Sequence, residues 1–330
     1  MKRRGVLKTG IVLAAWAGLT PLGVCAQRNY PERPIRMIIP YSPGGGTDTL
    51  GRRFAHQFGN ALGQQIVVDN RAGANGIIGT TVAARAQPDG YTLVLGTVST
   101  HSINPVTMDN LSYDPVKSFI PISILGTTAI AIAVHPSGPK TLQELIALVR
   151  ANPGKSSYGS AGTGSINHLS GELFKIKEGG LDIVHVPYKG SGQSIQDLVA
   201  NQIPIAFVTI SSGMQLHRAG RIRILAVFSE KRSQAAPEVP TALEAGGQRV
   251  LSYTYNVLCA PASTPAAIID QIYQATSKVM RDAEFQKALF AEAIEPTTDS
   301  NPGAAAQFIQ EERVKWEGVF NSLGIGKLKP

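Results

Sequence analysis

Apolar and polar positions follow two different periods along the chain. Residues 35–40 form a short apolar run typical of a buried strand. After the loop at 41–48, Leu50, Phe54, Phe58 and Leu62 recur every four positions, as on one face of a helix. A strand, a glycine-rich loop and a helix are therefore predicted to follow one another directly.

The same alternation continues over most of the chain. Further strands are predicted at 66–68, 91–96, 120–125, 129–134, 156–159, 183–187, 203–208, 222–228 and 251–260. Helices are predicted at 77–86, from Leu142 behind the capping box Thr141-x-x-Glu144, after Ser165, after Ser191, and from Pro265 and Pro302. This alternation is typical of an α/β protein with largely parallel sheets, and 330 residues suffice for two lobes.

The first 26 residues have the three parts of an export signal. Four basic residues precede an apolar run at 11–19, and small residues follow up to Ala26, where cleavage is expected. The segment at 3–8 also resembles the twin-arginine export consensus. Acylation of Cys25 as a lipoprotein is an alternative, which the preceding Val24 fits poorly. We therefore predict a signal peptide at residues 1–26.

The remaining charge is modest. Four of the 31 basic residues and none of the 23 acidic residues lie in the export segment, which leaves a net charge of +4 rather than +8. No run of Lys or Arg supports a nucleic-acid partner, and no later stretch reaches the roughly 18 apolar residues that a membrane span needs. Cys259 is then the single cysteine, so no internal disulfide is expected.

Two glycine-rich loops join a predicted strand to a predicted helix. They read PGGGTD at 43–48 and GSAGTGS at 159–165. Glycine lets backbone N–H groups approach a ligand closely, and a helix N-terminus favours an anion. Neither the Walker A nor the G-x-G-x-x-G spacing is present in the first loop. The alternative is that these loops are tight turns, with Thr47 or Asp48 as helix N-cap in the first.

Two other segments end predicted strands, at the edge where ligands bind in open α/β sheets. GTVSTH at 96–101 places hydroxyl groups there. Tyr188 and Lys189 follow the strand at 183–187, where the tyrosine is a candidate cavity wall and the lysine a candidate partner for an anion. An exposed lysine beside a packing tyrosine is the alternative.

Catalysis and metal binding are not expected. A serine hydrolase would use Ser160 or Ser165 with His168, but the G-x-S-x-G pattern is absent, and His168 lies where helix capping or core packing is commoner. The six histidines are dispersed without metal-ligand spacing. No cofactor is predicted.

Taken in order, the motifs resemble the extracytoplasmic solute receptors of the tripartite tricarboxylate transporter family, often called Bug receptors. They are YPERPIR at 30–36, PGGGTD at 43–48, NRAGANG at 70–76, PDGYTL at 88–93, INP at 103–105, YDPV at 113–116, YGSAG at 158–162, HL at 168–169, HVPYKG at 185–190, EVPT at 238–241 and AP at 260–261. A single glycine-rich loop occurs in many protein families, whereas this set of motifs in this order is specific.

The resemblance implies a periplasmic-binding-protein fold, type II-like, with two α/β lobes that close on a ligand cleft. Residues 27–125 plus 227–330 would form one lobe and residues 126–226 the other. It implies a periplasmic, non-enzymatic, monomeric receptor that captures a small organic carboxylate and delivers it to the large and small membrane subunits of a tripartite transporter. A ligand sensor that docks on a two-component sensor kinase is the alternative, and a secreted serine hydrolase is a weaker one.

The loops and the resemblance together give the candidate ligand-binding residues. They are Tyr41, Ser42, Gly44, Gly45, Gly46, Thr47, Asp48, Thr97, Ser99, His101, Ser160, Ala161, Gly162, Thr163, Ser165, His168, Tyr188 and Thr209. Many relatives carry an acidic residue after the strand corresponding to 205–208, where it can meet an amino group. This chain has Thr209-Ile210-Ser211 there, which favours a plain mono- or dicarboxylate over an amino acid.

Overall fold

Strands and helices alternate along the chain, as the sequence predicts. The computed structural model describes residues 30–322 and 326–327, so the predicted signal peptide lies outside the described residues. The strands are β1 Ile35–Ile39, β2 Ile66–Asn70, β3 Thr92–Thr97, β4 Phe119–Val134, β5 Ser156–Ser160, β6 Ile183–Pro187, β7 Ile205–Thr209, β8 Arg223–Val227, β9 Tyr253–Pro261 and β10 Glu295–Pro296. The helices are α1 Gly46–Leu62, α2 Ile77–Ala84, α3 Asn104–Thr107, α4 Leu142–Ala151, α5 Ile166–Lys177, α6 Ser191–Val199, α7 Ile210–Arg218, α8 Ala266–Met280, α9 Ala283–Ala291 and α10 Pro302–Ser322.

Strand β4 is one continuous strand that pairs with two different sets of strands. The prediction of two separate strands at 120–125 and 129–134 was wrong, because the small residues between the two apolar runs stay extended. Thr127 pairs with Tyr255 of β9 and, on its other side, with Glu295 of β10. The pairing with β9 ends at Ala129, and from Ile130 onward β4 pairs with β7 and β8. One long strand thus links two sets of neighbours.

The strand order among the described residues is β2-β1-β3-β9-β4-β7-β5-β6, with β8 and β10 also paired to β4. β1 is parallel to β2 and β3, and β5 is parallel to β6 and β7, whereas β4 and β9 are antiparallel to their neighbours. The prediction of parallel pairing therefore holds within each set, and the antiparallel strand β4 pairs with strands of both sets. Each parallel strand leads into a loop at its carboxyl end, where ligands bind in open α/β sheets.

Local signals fix several helix starts. The side chain of Thr141 accepts the N–H of Glu144 at 3.1 Å, as in a capping box, whereas the Glu144 carboxylate accepts the N–H of Lys140, one residue before the cap, at 2.7 Å. Ser165 caps α5 by accepting the N–H of His168 at 3.2 Å. Pro302 opens α10 as predicted, whereas Pro265 lies one residue before α8 in an extended conformation.

The described residues from Pro31 onward form one compact unit. The lobe boundaries at 125/126 and 226/227 stay a prediction. Buried apolar side chains fill the core. Phe54 and Phe58 of α1 stack on each other, and Phe54 also contacts Phe285 of α9, while Phe174, Phe207 and Phe228 pack together elsewhere. None of the helices in the described part of the chain is long and apolar enough to cross a membrane.

Candidate functional site

The carboxyl ends of five parallel strands open into one cavity. Tyr41 follows β1, Thr97 ends β3, Ala161 follows β5, Thr209 ends β7, and Ser191 lies just beyond β6. The full lining is Tyr41, Gly45, Gly46, Thr47, Thr97, Ser99, Ala161, Ile166, Asn167, Ser191, Thr209 and Thr254. The cavity volume is about 30 Å³, which is room for one or two water molecules.

Four helices begin at this cavity. α1 starts at Gly46, α5 at Ile166, α6 at Ser191 and α7 directly after Thr209, and each of these four residues lines the cavity. The first N–H groups of a helix have no partner within the helix, and its N-terminus carries about half a positive elementary charge. The cavity therefore has the electrostatic character of an anion-binding site.

The side chains that line the cavity carry no formal charge. Its polar side chains are hydroxyls and one amide. The hydroxyls of Tyr41 and Thr97 lie 2.9 Å apart, and burial raises the pKa of Tyr41, so its phenol stays protonated. An anion in this cavity would thus meet N–H and O–H donors rather than a lysine or arginine.

The cavity has two sides, one formed by residues that follow β1 and β3 and the other by residues that end or follow β5 and β7. The two sides are in contact. Ser99, which follows β3, accepts the backbone N–H of Ile166 at the start of α5, at 3.0 Å. A methyl group on Gly46 would lie only 2.5 Å from the hydroxyl oxygens of Thr209 and Ser211. The start of α1 therefore approaches the start of α7 as closely as it does because position 46 lacks a side chain.

Asp48 lies beside the cavity and holds the first loop together. Its carboxylate accepts hydrogen bonds from the Gly44 N–H at 3.0 Å, the Arg52 guanidinium at 3.0 Å and the Asn70 amide at 2.9 Å. Gly44 has a positive φ of 84°, which glycine adopts without strain. These contacts use the acceptor capacity of Asp48 inside the protein, and neither residue lines the cavity.

Other predicted site residues lie around the cavity rather than on it. The hydroxyl of Ser42 is buried without a hydrogen-bond partner, next to Gly190. Gly162, Thr163 and Tyr188 line an adjacent open groove that also includes Asn75 and Lys189. Ser160, Ser165 and His168 make bonds within the second loop. No contact places these residues directly on a ligand in the cavity, and their assignment as ligand contacts stays a prediction.

His101 belongs to the core instead. Its ring is fully buried in a one-turn π-helix, Ser99–Ile103, where Nδ1 lies 2.8 Å from the Thr100 hydroxyl and Nε2 lies 3.6 Å from Cys259. Burial lowers the pKa of His101 to about 4, so the ring is neutral at physiological pH. The buried Cys259 thiol has a pKa raised by burial and is therefore unreactive.

One pair of side chains has the geometry that the serine-hydrolase alternative requires of a serine and a histidine. The Ser160 hydroxyl lies 2.6 Å from Nε2 of His185. However, Ser160 is fully buried and does not line the cavity. The His185 ring stacks on His168, and no acidic side chain among the described residues hydrogen-bonds to it. Ser165 is occupied as the helix cap described above. Within residues 30–322 and 326–327, no group of three or more His, Cys, Asp or Glu side chains is arranged to hold a metal ion.

Four cavity residues were not predicted: Ile166, Asn167, Ser191 and Thr254. Ile166 and Asn167 lie between two residues that were chosen, at the start of the same helix. Ser191 begins a helix after a strand, which is the signal that identified the other loops. Thr254 lies on β9 and reaches the cavity through its pairing with Thr128 of β4, a contact that no local pattern reveals.

Comparison with known proteins identifies the family. The profile described as tripartite tricarboxylate transporter family receptor matches residues 50–325. BugT of Bordetella pertussis is 33% identical over 302 residues, which cover 91% of this chain and 92% of BugT. The chain therefore belongs to the tripartite tricarboxylate transporter receptor family.

Solved structures agree with this assignment. MatC from Rhodopseudomonas palustris with bound malate superposes with a TM-score of 0.83 at 29% identity, covering 88% of this chain and 99% of that chain. R. palustris Rpa4515 with adipate superposes with a TM-score of 0.87 at 31% identity, covering 91% and 100%. The fold is that of periplasmic binding proteins, as the sequence predicts.

Proposed function

We propose that this protein is a non-enzymatic periplasmic receptor that captures a small, plain carboxylate and delivers it to the membrane subunits of a tripartite transporter. One observation carries the proposal: four helix N-termini meet at a cavity whose lining side chains are uncharged. Such a site offers backbone N–H groups and partial positive charge to an anion. Family membership supports the transport role and the periplasmic location.

The chemistry of the lining favours an acid without an amino group. An ammonium group needs a carboxylate or several carbonyl oxygens around it. The acidic residue of the first loop, Asp48, accepts hydrogen bonds from Gly44, Arg52 and Asn70. The malate and adipate bound to the two R. palustris relatives are acids of this kind. We infer a mono- or dicarboxylate of similar size for this chain.

Closure of the two sides explains how binding is signalled. The Ser99–Ile166 hydrogen bond and the close approach at Gly46 join residues that lie on opposite sides of the cavity. A ligand that contacts both sides stabilises this closed arrangement more than an open one, and only such a difference shifts the population. The closed form is then the one that the membrane subunits recognise.

A thermal-shift comparison of acids with their neutral amides tests the proposal. Adipate and malate would be compared with adipamide and malamide, which have similar shapes without charge, and with glucose. A ligand at 100 times its dissociation constant stabilises the folded protein by roughly 2.7 kcal/mol, which is readily measured. We expect at least one acid to raise the melting temperature and its amide to have no effect. Equal shifts by acid and amide, or a shift by glucose alone, would refute an anion site.

A further inference from the structure

Two histidines stack against each other beneath the second glycine-rich loop. The ring centroids of His168, on α5, and His185, on β6, lie 4.1 Å apart, and the ring planes are inclined by 25°. His168 is 8% exposed. Neither ring lines the cavity, although the loop above them does so through Ala161. The pair is therefore placed to act on the cavity only through the loop.

Both rings are hydrogen-bonded to that loop. The backbone N–H of Gly164 donates to Nδ1 of His168 at 3.1 Å. Nε2 of His185 lies 2.6 Å from the hydroxyl of Ser160, which in turn accepts the N–H of Gly162 at 3.1 Å. The two bonded N–H groups lie on the stretch of loop that follows Ala161.

The Gly164 bond determines the protonation state of His168. A backbone N–H is only ever a donor, so Nδ1 must accept and the ring must be neutral, with its proton on Nε2. Burial lowers the pKa of His168 to about 4; the nearby Glu172 acts to raise it and Lys175 to lower it. Glu172 itself accepts the Tyr158 hydroxyl at 2.7 Å and the Lys175 ammonium at 2.9 Å.

His185 keeps the stack uncharged from the other side. Burial, and then the neighbouring His168 and Lys175, lower the pKa of His185 to about 3. A proton on one ring would repel a proton on the other across 4.1 Å. At neutral pH both rings are therefore neutral, and the acceptor for Gly164 is available.

We propose that His168 is a positioning residue: its neutral imidazole holds residues 161–164 in the conformation that presents Ala161 to the cavity, and a protonated ring releases them. That this loop conformation matters for ligand capture rests on the proposed function. The hydrogen bond itself, however, can be tested in the protein without ligand.

Three variants separate positioning from mere packing. His168→Asn keeps an acceptor at the position of Nδ1 without a group that titrates, whereas His168→Leu fills similar space without an acceptor. His217→Leu is the matched control, because His217 likewise accepts a backbone N–H, from Ile224 at 3.2 Å, but between α7 and β8. The readout is the hydrogen-exchange rate of the Gly164 amide in the whole ligand-free chain, measured by NMR at pH 7.5.

We expect the Gly164 amide to exchange roughly tenfold faster in His168→Leu, the effect of losing one hydrogen bond. In His168→Asn and His217→Leu it should remain within about twofold of the wild-type rate. After correction for the intrinsic pH dependence, lowering the pH from 7.5 to 4 should accelerate this exchange in the wild type more than in His168→Asn, because only the wild-type ring gains a proton.

Equal Gly164 exchange in the leucine and asparagine variants, or coincident pH profiles of wild type and His168→Asn, would overturn the proposal. If His168→Leu does not fold, the comparison of the two pH profiles decides alone. The affinity for adipate, as the probe, should fall further in His168→Leu than in His168→Asn. If wild-type protein binds no acid at all, the proposed function fails, while the exchange rates still decide the role of His168.

Discussion

The hydroxyl of Ser99 accepts the backbone N–H of Ile166 at 3.0 Å, which joins the end of β3 to the first residue of α5 across the cavity. Both residues line the cavity, and Ser99 is only 2% exposed. One side-chain hydroxyl thus satisfies an N–H at a helix start and also ties together the two sides that a ligand would have to bridge.

Replacement of Ser99 by alanine tests the importance of this tie. We expect Ser99→Ala to weaken binding of the best acid about fivefold, the effect of losing one hydrogen bond in the closed form. Calorimetric titration measures the affinity. Ser137→Ala, which removes an exposed hydroxyl bonded to His135, is the control and should leave the affinity unchanged. An unaltered affinity in Ser99→Ala would show that the bond does not contribute to closure on the ligand.

A methyl group at position 46 should interfere with closure. In Gly46→Ala, Cβ would lie 2.5 Å from the oxygens of Thr209 and Ser211, so α1 and α7 must move apart. We expect affinity for the acid to fall at least tenfold while the protein remains folded. Gly318→Ala on α10 is the matched control, because a Cβ there meets nothing within 4 Å. Gly318→Ala should leave the affinity for the acid unchanged. Its free energy of unfolding should be unchanged or higher by up to about 1 kcal/mol, since alanine favours a helix.

A substitution at Asp48 tests whether its carboxylate stabilises the first loop or contacts the ligand. Its carboxylate accepts from Gly44, Arg52 and Asn70, so Asp48→Asn should lower the free energy of unfolding by roughly 1–3 kcal/mol in urea denaturation. A carboxylate exposed to the ligand would instead repel an anion, and its removal would raise the affinity for the acid. A stable Asp48→Asn protein that binds the acid more tightly would contradict the structural role.

Much of the fold was predictable because each element carries its own signal. The strand Ile183–Pro187 matches its prediction at both ends, and the capping box at Thr141 marks the start of α4. Helix α7 was missed because its first turn, Ile-Ser-Ser-Gly, has low helix propensity and is held by packing of Ile210 and Met214 in the core. The unbroken strand β4 was missed because its continuity depends on partners far away in the sequence.

The site was predictable as loops but not as individual contacts. Gly45, Gly46, Thr97 and Ala161 line the cavity because loops at strand ends converge there. Which residue of a loop faces inwards depends on tertiary packing, and so Asp48 lies beside the cavity and His101 in the core. Thr254 reaches the cavity from β9, and no pattern in its own segment distinguishes it from its neighbours.

Acid pH should destabilise the protein through its buried histidines. Burial lowers the pKa of His101 and His168 to about 4 and that of His185 to about 3. The unfolded chain binds these protons near pH 6.5, so their contribution to stability is complete above that pH and is lost as the pH falls towards 4 and 3. Urea denaturation between pH 7.5 and 4 should show a declining free energy of unfolding.

The variant His168→Asn should reduce that decline, because one of the three depressed groups is removed. A free energy of unfolding that does not change between pH 6.5 and 4 would contradict the assignment of these rings as neutral and buried.

A crystal structure grown with the acid that gives the largest thermal shift tests the central claim most directly. We predict that a carboxylate group of that acid lies within hydrogen-bond distance of backbone N–H groups at the starts of at least two of the helices α1, α5, α6 and α7, and that no lysine or arginine contacts it. A carboxylate bound instead in the open groove beside Tyr188 and Lys189, with the cavity free of ligand, would contradict the account.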